Sequence, residues 1–189
     1  MTDCRLSLRP QAPVKIVCAG QSERGMRFGA EYGDYNFTLG AGVNSPAAFA
    51  PTNRQMMQAA ACTGRDVGTY VLFMVIADET DAAAMAKWQH FNSGADADAL
   101  AWMFDQAGAD TTASKSSTAK AMVVPEGAIN FNMGTLVGSY PSVARMLDDA
   151  AGVPGTKGIM LTFDDFPIGM EQFGQRIQPL MATRCNRLC

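Results

Sequence analysis

A glycine and a serine lie where the first apolar run of the chain gives way to a helix-like segment. The run 14–19 ends in Gly20, and Gln21 and Ser22 then lead into helical sequence up to residue 32. A helix start leaves several backbone amides without partners, and the helix dipole favours an anion there. Because serine is also a common helix cap, two interpretations stay open: a phosphate or carboxylate site, and a simple cap.

Four apolar segments, each followed by helix-like sequence, predict the elements that position this junction. The strand candidates are residues 14–19, 35–40, 69–77 and 158–166, and the helix candidates are 22–32, 47–63, 80–106, a segment capped by Ser139, and 169–181. The run 69–77 lacks polar alternation, which is typical of a parallel strand buried on both faces. Strands that alternate with helices predict βαβ units and a parallel sheet.

Ligands of parallel α/β proteins gather at the carboxyl ends of the strands. Two predicted ends carry glycines and small polar residues, and two carry the acids Asp78, Glu79, Asp164 and Asp165. Acidic residues also cap helices, and we expect at least three of these four to do so. The segment GAGVNS (40–45) lacks the sixth glycine and the later acid of a dinucleotide fingerprint, which disfavours a Rossmann site.

Composition excludes several classes of function. The 189 residues are 48% hydrophobic and 17% charged, with a net charge of −3 and no basic stripe, so a globular protein without a nucleic-acid partner is expected. No apolar segment is long enough to span a bilayer, and no membrane association is expected. Five cysteines without a C-x-x-C pair predict free thiols in the cytoplasm, and a single histidine, His90, disfavours a metal site.

One internal segment, residues 106–127, does not fit the alternation of strands and helices. Its residues are small and polar, with almost no large apolar side chain before Met122. The segment is also too long for an ordinary α/β connection. A flexible surface insertion and a lid over a site are both compatible with this composition.

Four blocks of the sequence resemble a known family. They are PVKIVCAGQSERGMRFGAEYGDYNF, GRDVGTYVLFMVIADETD, NFNMGTLVGSYPSVARMLDD and LTFDDFPIGMEQFGQRIQPLM. Together they look like the C-terminal half of the bacterial-luciferase-like flavin monooxygenases, in the group that oxidises pyrimidines. The resemblance runs from about Met1 to Met181. The segment 106–127 matches loosely, and the last eight residues depart from the pattern.

The resemblance implies a fold and a division of the chain. It makes residues 1–189 a partial luciferase-like monooxygenase domain, the C-terminal half of a (β/α)8 TIM barrel with strands five to eight and a long insertion at about 106–127. It also implies that the chain is a fragment or truncated product. We therefore expect it to be inactive alone and to self-associate as a homo-oligomer through unpaired strand edges.

The resemblance also implies a chemistry. FMN is the expected cofactor, with Ser22 on its phosphate, Gln21 beside it, and Gly20 giving the backbone room to approach the ligand. An NAD(P)H-dependent flavin reductase would supply reduced FMN, and O2 would open uracil or thymine to a ureidoacrylate product. No catalytic residue is assigned, although Asn130, Asn132, Asp164 and Asp165 lie near the predicted carboxyl-end face. A monooxygenase of the alkanesulfonate type and a non-catalytic half-barrel module remain the alternatives.

Overall fold

The fold is a parallel sheet with helices between successive strands. The computed structural model describes residues 10–109 and 133–185. The strands are β1 (Val17–Cys18), β2 (Tyr35–Leu39), β3 (Gly68–Asp78), β4 (Thr135–Ser139) and β5 (Thr156–Phe163). The helices are α1 (Glu23–Tyr32), α2 (Ala50–Ala61), α3 (Asp81–Ser93), α4 (Ala97–Gly108), α5 (Tyr140–Ala151), α6 (Phe166–Gln172) and α7 (Ala182–Cys185). Between α6 and α7 the chain continues as a π-helical turn (Phe173–Ile177) and a 3₁₀ turn (Gln178–Leu180).

Strand β3 is the centre of the sheet, and every strand pairing is parallel. Residues 68–72 of β3 pair with β2, while residues 69–75 pair with β5, so β2 and β5 lie on opposite edges of β3. Residues 74–78 pair with β4. Because the amide of Gly134 donates to the carbonyl of Gly40 at 2.9 Å, β4 continues the edge where β2 stops.

The predicted strands are present, with different bounds, and β4 is an addition. The run 14–19 forms only the two-residue β1, whereas the apolar run 69–77 lies inside the longer β3. No alternation or turn pattern marks residues 135–139 as a strand in the sequence. They become one because their backbone meets both β3 and the 40–44 segment.

The predicted helices are also present, and one predicted helix is divided into two. The helical stretch 80–106 divides at Gly94 into α3 and α4, because Thr80 and Asp96 each cap a new helix through their side-chain oxygens. Residues 106–108 of the predicted insertion belong to α4. The rest of the predicted insertion or lid, 110–127, lies outside the described residues.

The main core lies on one face of the sheet. Alternate residues of β3, namely Val71, Phe73, Val75 and Ala77, pack with Val143 and other residues of α5. Further members of this cluster come from β4, the end of β5, the turns after α6 and the residues that flank α2 and α5: Leu136, Phe163, Ile177, Met181, Phe49 and Val153. Helices α1 and α2 pack on each other through Met26, Ala30, Met56 and Ala60.

A buried polar network ties α2 to the amino ends of β3 and β5. Asn53 is 1% exposed, and its Oδ1 accepts a hydrogen bond from the Thr69 hydroxyl at 2.6 Å. Its Nδ2 donates to the Pro154 carbonyl at 3.2 Å and to the Thr156 hydroxyl at 3.1 Å. One side chain therefore satisfies three polar groups in the interior, which fixes where α2 sits on the sheet.

None of the described helices is long and apolar enough to cross a membrane.

Candidate functional site

The junction between β1 and α1 has the geometry of a capped helix start. Ser22 adopts an extended backbone conformation, and its Oγ accepts a hydrogen bond from the amide of Gly25 at 3.1 Å. The amide of Met26 donates to the Ser22 carbonyl at 2.8 Å. Ser22 is therefore a cap, but its hydroxyl proton is not used by this bond, since a hydroxyl both donates and accepts.

The same geometry leaves donors for an anion. An α-helix cannot satisfy its first amides internally, and Ser22 satisfies only those of Gly25 and Met26. Within the part of the chain that the structure describes, the amides of Glu23 and Arg24 are left for an outside acceptor. Arg24 balances the carboxylate of Glu23 within the first turn, and Arg27 follows in the second, so the helix dipole is the field that favours an anion at this end.

Gly20 has a packing role that differs from the predicted one. A Cβ at this position would lie 2.5 Å from the Cα of Gly25, and a Cβ on Gly25 would lie 2.7 Å from the Cα of Gly20. The strand end and the first helical turn are thus in backbone contact. This contact, rather than room for a ligand, excludes a side chain at position 20. The carbonyl of Gly20 is also held, because Asn36 Nδ2 donates to it at 3.1 Å.

Gln21 lies beside Ser22, on a groove between α1 and α2. The groove has a volume of about 730 Å³ and is lined by Gln21, Met26, Arg27, Ala59, Cys62 and neighbouring residues. The Nε2 atom of Gln21 is buried and has no hydrogen-bond partner among the described residues. A buried amide donor without an acceptor destabilises the folded state. The Nε2 atom of Gln21 can therefore donate a hydrogen bond to an outside acceptor at this junction.

The four acids at the carboxyl ends of β3 and β5 are mostly not caps, which corrects the prediction. Only Asp165 caps a helix, by accepting from the amide of Ile168 at 3.1 Å. Glu79 forms a bidentate pair with Arg176 at 2.8 and 3.0 Å. Asp78 and Asp164 both face Lys87, whose Nζ lies 3.6 Å from each carboxylate.

Lys87 and Arg176 are the residues near the carboxyl ends of β3 and β5 that the sequence did not reveal. Lys87 also donates to the carbonyl of Ala77 at 3.1 Å, and the guanidinium of Arg176 lies 4.3 Å from the centre of the Tyr140 ring. Bonding to Glu79 raises the pKa of Arg176 despite the opposing effect of desolvation. No local pattern could have revealed these pairs, because Arg176 and Glu79 are 97 positions apart.

Three sites at the carboxyl ends of the strands differ in the ligands that they suit. Four carboxylates and two cations leave the β3–β5 edge net negative, which disfavours a phosphate there. The start of α5 is also occupied internally, since the amide of Ser139 donates to the carboxylate of Asp81 at 2.6 Å. That bond, with further hydrogen bonds from the Ser139 and Ser142 side chains, lowers the pKa of Asp81. The β1–α1 junction is the better anion site of the three.

The GAGVNS segment (40–45) pairs with β4. Asn44 has a positive φ of 51°, and its side chain mimics a strand by bonding both the carbonyl and the amide of Val137, at 2.9 and 2.7 Å. The carbonyl of Gly42 accepts from Thr135 at 2.9 Å. These backbone and side-chain groups are engaged within the sheet, which agrees with the rejection of a Rossmann site. Asn130 and Asn132 lie outside the described residues.

Known proteins with related sequences are about twice as long as this chain. A family model described as luciferase-like monooxygenase matches residues 2–152. A Bradyrhizobium protein named Pyrimidine monooxygenase RutA is 62% identical over 188 residues, which are 100% of this chain and 52% of the relative. A protein of the same name from Klebsiella pneumoniae is 61% identical over 184 residues, 97% of this chain and 51% of its own. The chain spans about half the length of the curated relatives it matches.

Solved structures share the fold at low sequence identity. Riboflavin lyase matches 89% of this chain and 42% of its own, with a TM-score of 0.73 and 21% identity. A long-chain alkane monooxygenase matches 86% of this chain and 39% of its own, with a TM-score of 0.63 and 21% identity. The predicted α/β class, a parallel sheet with helices, is confirmed by these likenesses and by the strand pairing.

Proposed function

The chain belongs to the luciferase-like monooxygenase family, and from that premise we propose that it carries part of the flavin site of an FMN-dependent pyrimidine monooxygenase. The identity of about 60% to proteins named Pyrimidine monooxygenase RutA supports this assignment. Because the chain spans half of these relatives, the activity belongs to a complete protein, and the chain alone is expected to be inactive. In this proposal, the substrates of the complete protein are O2 and either uracil or thymine.

The observation that carries the proposal is the β1–α1 junction. The amides of Glu23 and Arg24, the hydroxyl of Ser22 and the positive end of the α1 dipole all lie at the same helix start, which is the arrangement that favours a phosphate dianion. The residues present therefore fit the phosphate of FMN. Gln21 adds an amide donor at the same junction.

We propose the following division of labour between the cofactor, a reductase and the residues of this chain. Bound reduced FMN supplies the electrons that activate O2 toward the pyrimidine ring, and a separate NAD(P)H-dependent flavin reductase provides the reduced cofactor. The residues of this chain bind and orient the phosphate end, while the sheet and its helices keep water from that wall of the site. Opening of the ring to a ureidoacrylate product is part of the proposal.

The sheet itself supports the half-barrel part of the proposal. Parallel sheets are normally covered on both faces. Here the helices that follow β1, β2 and β4 cover one face, and much of the other face carries no helix among the described residues. We propose that β1, β2, β3 and β5 are four neighbouring strands of an eight-stranded barrel, with residues 106–127 as an insertion that begins at the end of α4.

A phosphate-specific titration tests the junction. Amide resonances of residues 22–25 should shift when the ¹⁵N-labelled chain is titrated with FMN, and riboflavin, which lacks the phosphate, should leave them unchanged. Ser22→Ala should weaken the FMN response by about tenfold, because a hydrogen bond to a charged group contributes about 1.5–3 kcal/mol. Equal responses to FMN and riboflavin would exclude the phosphate assignment.

Thr80→Ala is the matched control. Thr80 caps α3 as Ser22 caps α1, since the amide of Ala83 donates to Thr80 Oγ1 at the same distance of 3.1 Å. Loss of either cap should cost about 1 kcal/mol of stability. Only Ser22→Ala should change the FMN response. If the two variants weaken it equally, Ser22 acts solely as a cap.

A further inference from the structure

A buried side chain of the neighbouring strand holds the β1–α1 junction in place. Asn36 of β2 is 0% exposed and pairs in register with Cys18 of β1. Its Nδ2 donates to the carbonyl of Gly20 at 3.1 Å, and Gly20 belongs to the turn that leads from β1 into α1. Through this one hydrogen bond, the sheet fixes the turn that leads into Ser22 and the first amides of α1.

Asn36 also meets α1 itself. A Cβ on Gly29, in the second turn of α1, would lie 3.2 Å from Asn36 Oδ1, so the helix approaches this side chain closely. The backbone contact between Gly20 and Gly25 fixes the first turn in the same way. Gly25 and Gly29 are four residues apart and lie on one side of the helix. Asn36 thus holds the chain on both sides of the helix start, at Gly20 before it and at Gly29 after it.

Buried polar atoms without a hydrogen-bond partner are concentrated at this junction. Among the described residues four side-chain atoms are of this kind, and three of them are Gln21 Nε2, Asn36 Oδ1 and Thr38 Oγ1. Gln21 follows Gly20 directly, and Thr38 lies two residues after Asn36, on the same face of β2. An apolar residue at position 36 would avoid the cost of the unpaired oxygen, so stability alone does not account for an asparagine there.

We propose that Asn36 is a positioning residue for the phosphate of FMN and acts through the carbonyl of Gly20. The inference rests on the flavin site proposed above, and it adds a buried residue of β2 that orients the phosphate donors from below. By holding the Gly20 carbonyl, Asn36 fixes the peptide between Gly20 and Gln21, and hence the direction in which the Ser22 hydroxyl and the first amides of α1 point. Binding groups of this kind must be held to within about 0.5 Å, which is the reason for a polar anchor at position 36.

Asn36→Leu separates positioning from stability. Leucine keeps the branching and the number of side-chain heavy atoms, but it cannot donate to the Gly20 carbonyl. Because the unpaired Oδ1 is removed together with the hydrogen bond, the melting temperature of the full chain should change little. The affinity for FMN, from a titration followed at the ¹⁵N-labelled amides of residues 22–25, should fall by about tenfold, as happens when partners that orient a binding group are lost. The response to riboflavin, which has no phosphate, should not change.

Asn53→Leu is the matched control. Asn53 is also a buried asparagine, but its bonds tie α2 to the amino ends of β3 and β5, away from the junction. This variant should lose more stability than Asn36→Leu and keep its FMN affinity within about twofold, because distant sites act independently. Titrations are made at a temperature at which circular dichroism shows each variant folded.

Gly29→Ala displaces the Asn36 side chain without changing its chemistry. The added Cβ would press on Oδ1 from 3.2 Å, so FMN affinity should fall by roughly threefold while helix propensity improves. Gly174→Ala, where a Cβ meets no atom within 4 Å, should leave the affinity unchanged. Gly29→Ala also provides the test if Asn36→Leu does not fold.

The outcomes distinguish this inference from the flavin site on which it rests. A wild-type chain that responds to FMN and not to riboflavin, with Asn36→Leu binding FMN equally well, keeps the phosphate site and overturns the role of Asn36. Equal weakening of FMN binding by Asn36→Leu and Asn53→Leu would show that Asn36 acts through stability alone, which also overturns it. Equal responses of the wild type to FMN and riboflavin would contradict the phosphate site itself, and this inference with it.

Discussion

Replacing Asn53 should be among the most damaging single changes to the stability of this fold. Asn53→Leu keeps the branching and the number of side-chain heavy atoms but removes three hydrogen bonds that join α2 to Thr69, Pro154 and Thr156. The side chain is 1% exposed, so water does not replace these bonds. The Thr69 hydroxyl is left with only a 3.5 Å contact to the carbonyl of Gly155.

The expected loss is about 3 kcal/mol of unfolding free energy. Each hydrogen bond contributes about 0.5–1.5 kcal/mol net, and a buried group left unpaired costs about 1–3 kcal/mol. Leucine recovers part of this by burying apolar surface. For a chain of 189 residues, about 3 kcal/mol lowers the melting temperature by roughly 6–12 °C.

Urea denaturation followed by circular dichroism and tryptophan fluorescence measures the change. Gln58→Ala, an exposed amide on the same helix, is the control and should stay within about 0.5 kcal/mol. A cycle with Thr69→Val should give a coupling energy of about 1–2 kcal/mol, because the two side chains bond directly. A loss below about 1 kcal/mol, or additive single changes, would refute the assignment of the network as the anchor of α2.

Three further predictions follow from the junction and the charged groups. Gly20→Ala should destabilise the chain by about 1–3 kcal/mol through overpacking against Gly25, whereas Gly174→Ala, where a Cβ meets no atom within 4 Å, should be neutral or stabilising in thermal melts. The lowered pKa of Asp81 stabilises the fold above the ordinary aspartate pKa of about 3.9, and this contribution is lost as the pH falls through the folded pKa. Melts of Asp81→Asn should therefore depend less on pH below about pH 4 than those of Asp149→Asn. The chain alone should consume no uracil with a flavin reductase, FMN and NADH, and steady turnover by a monomer would contradict the proposed inactivity.

Local signals were enough for the elements and for the junction. The unbroken apolar run of β3 predicted a parallel strand, which the pairing confirms, but Tyr70, Leu72 and Met74 are only partly buried, so burial on both faces was wrong for that part of the strand among the described residues. Ser22 was recognised as a helix start from its position after Gly20. In both cases the physical cause acts within a few residues of the chain. The four quoted sequence blocks added the family, which the comparisons confirm.

Interactions between distant segments were decided only by the tertiary structure. Strand β4 exists because residues 135–139 meet β3 and the 40–44 segment, and the acids Asp78, Glu79 and Asp164 pair with Lys87 and Arg176 instead of capping helices. A carboxylate takes whichever donor the fold brings nearest, and sequence spacing does not report that distance. The sequence by itself determined the alternation of strands and helices apart from β4, while packing determined β4, the partners of each polar group and which face of the sheet was left uncovered.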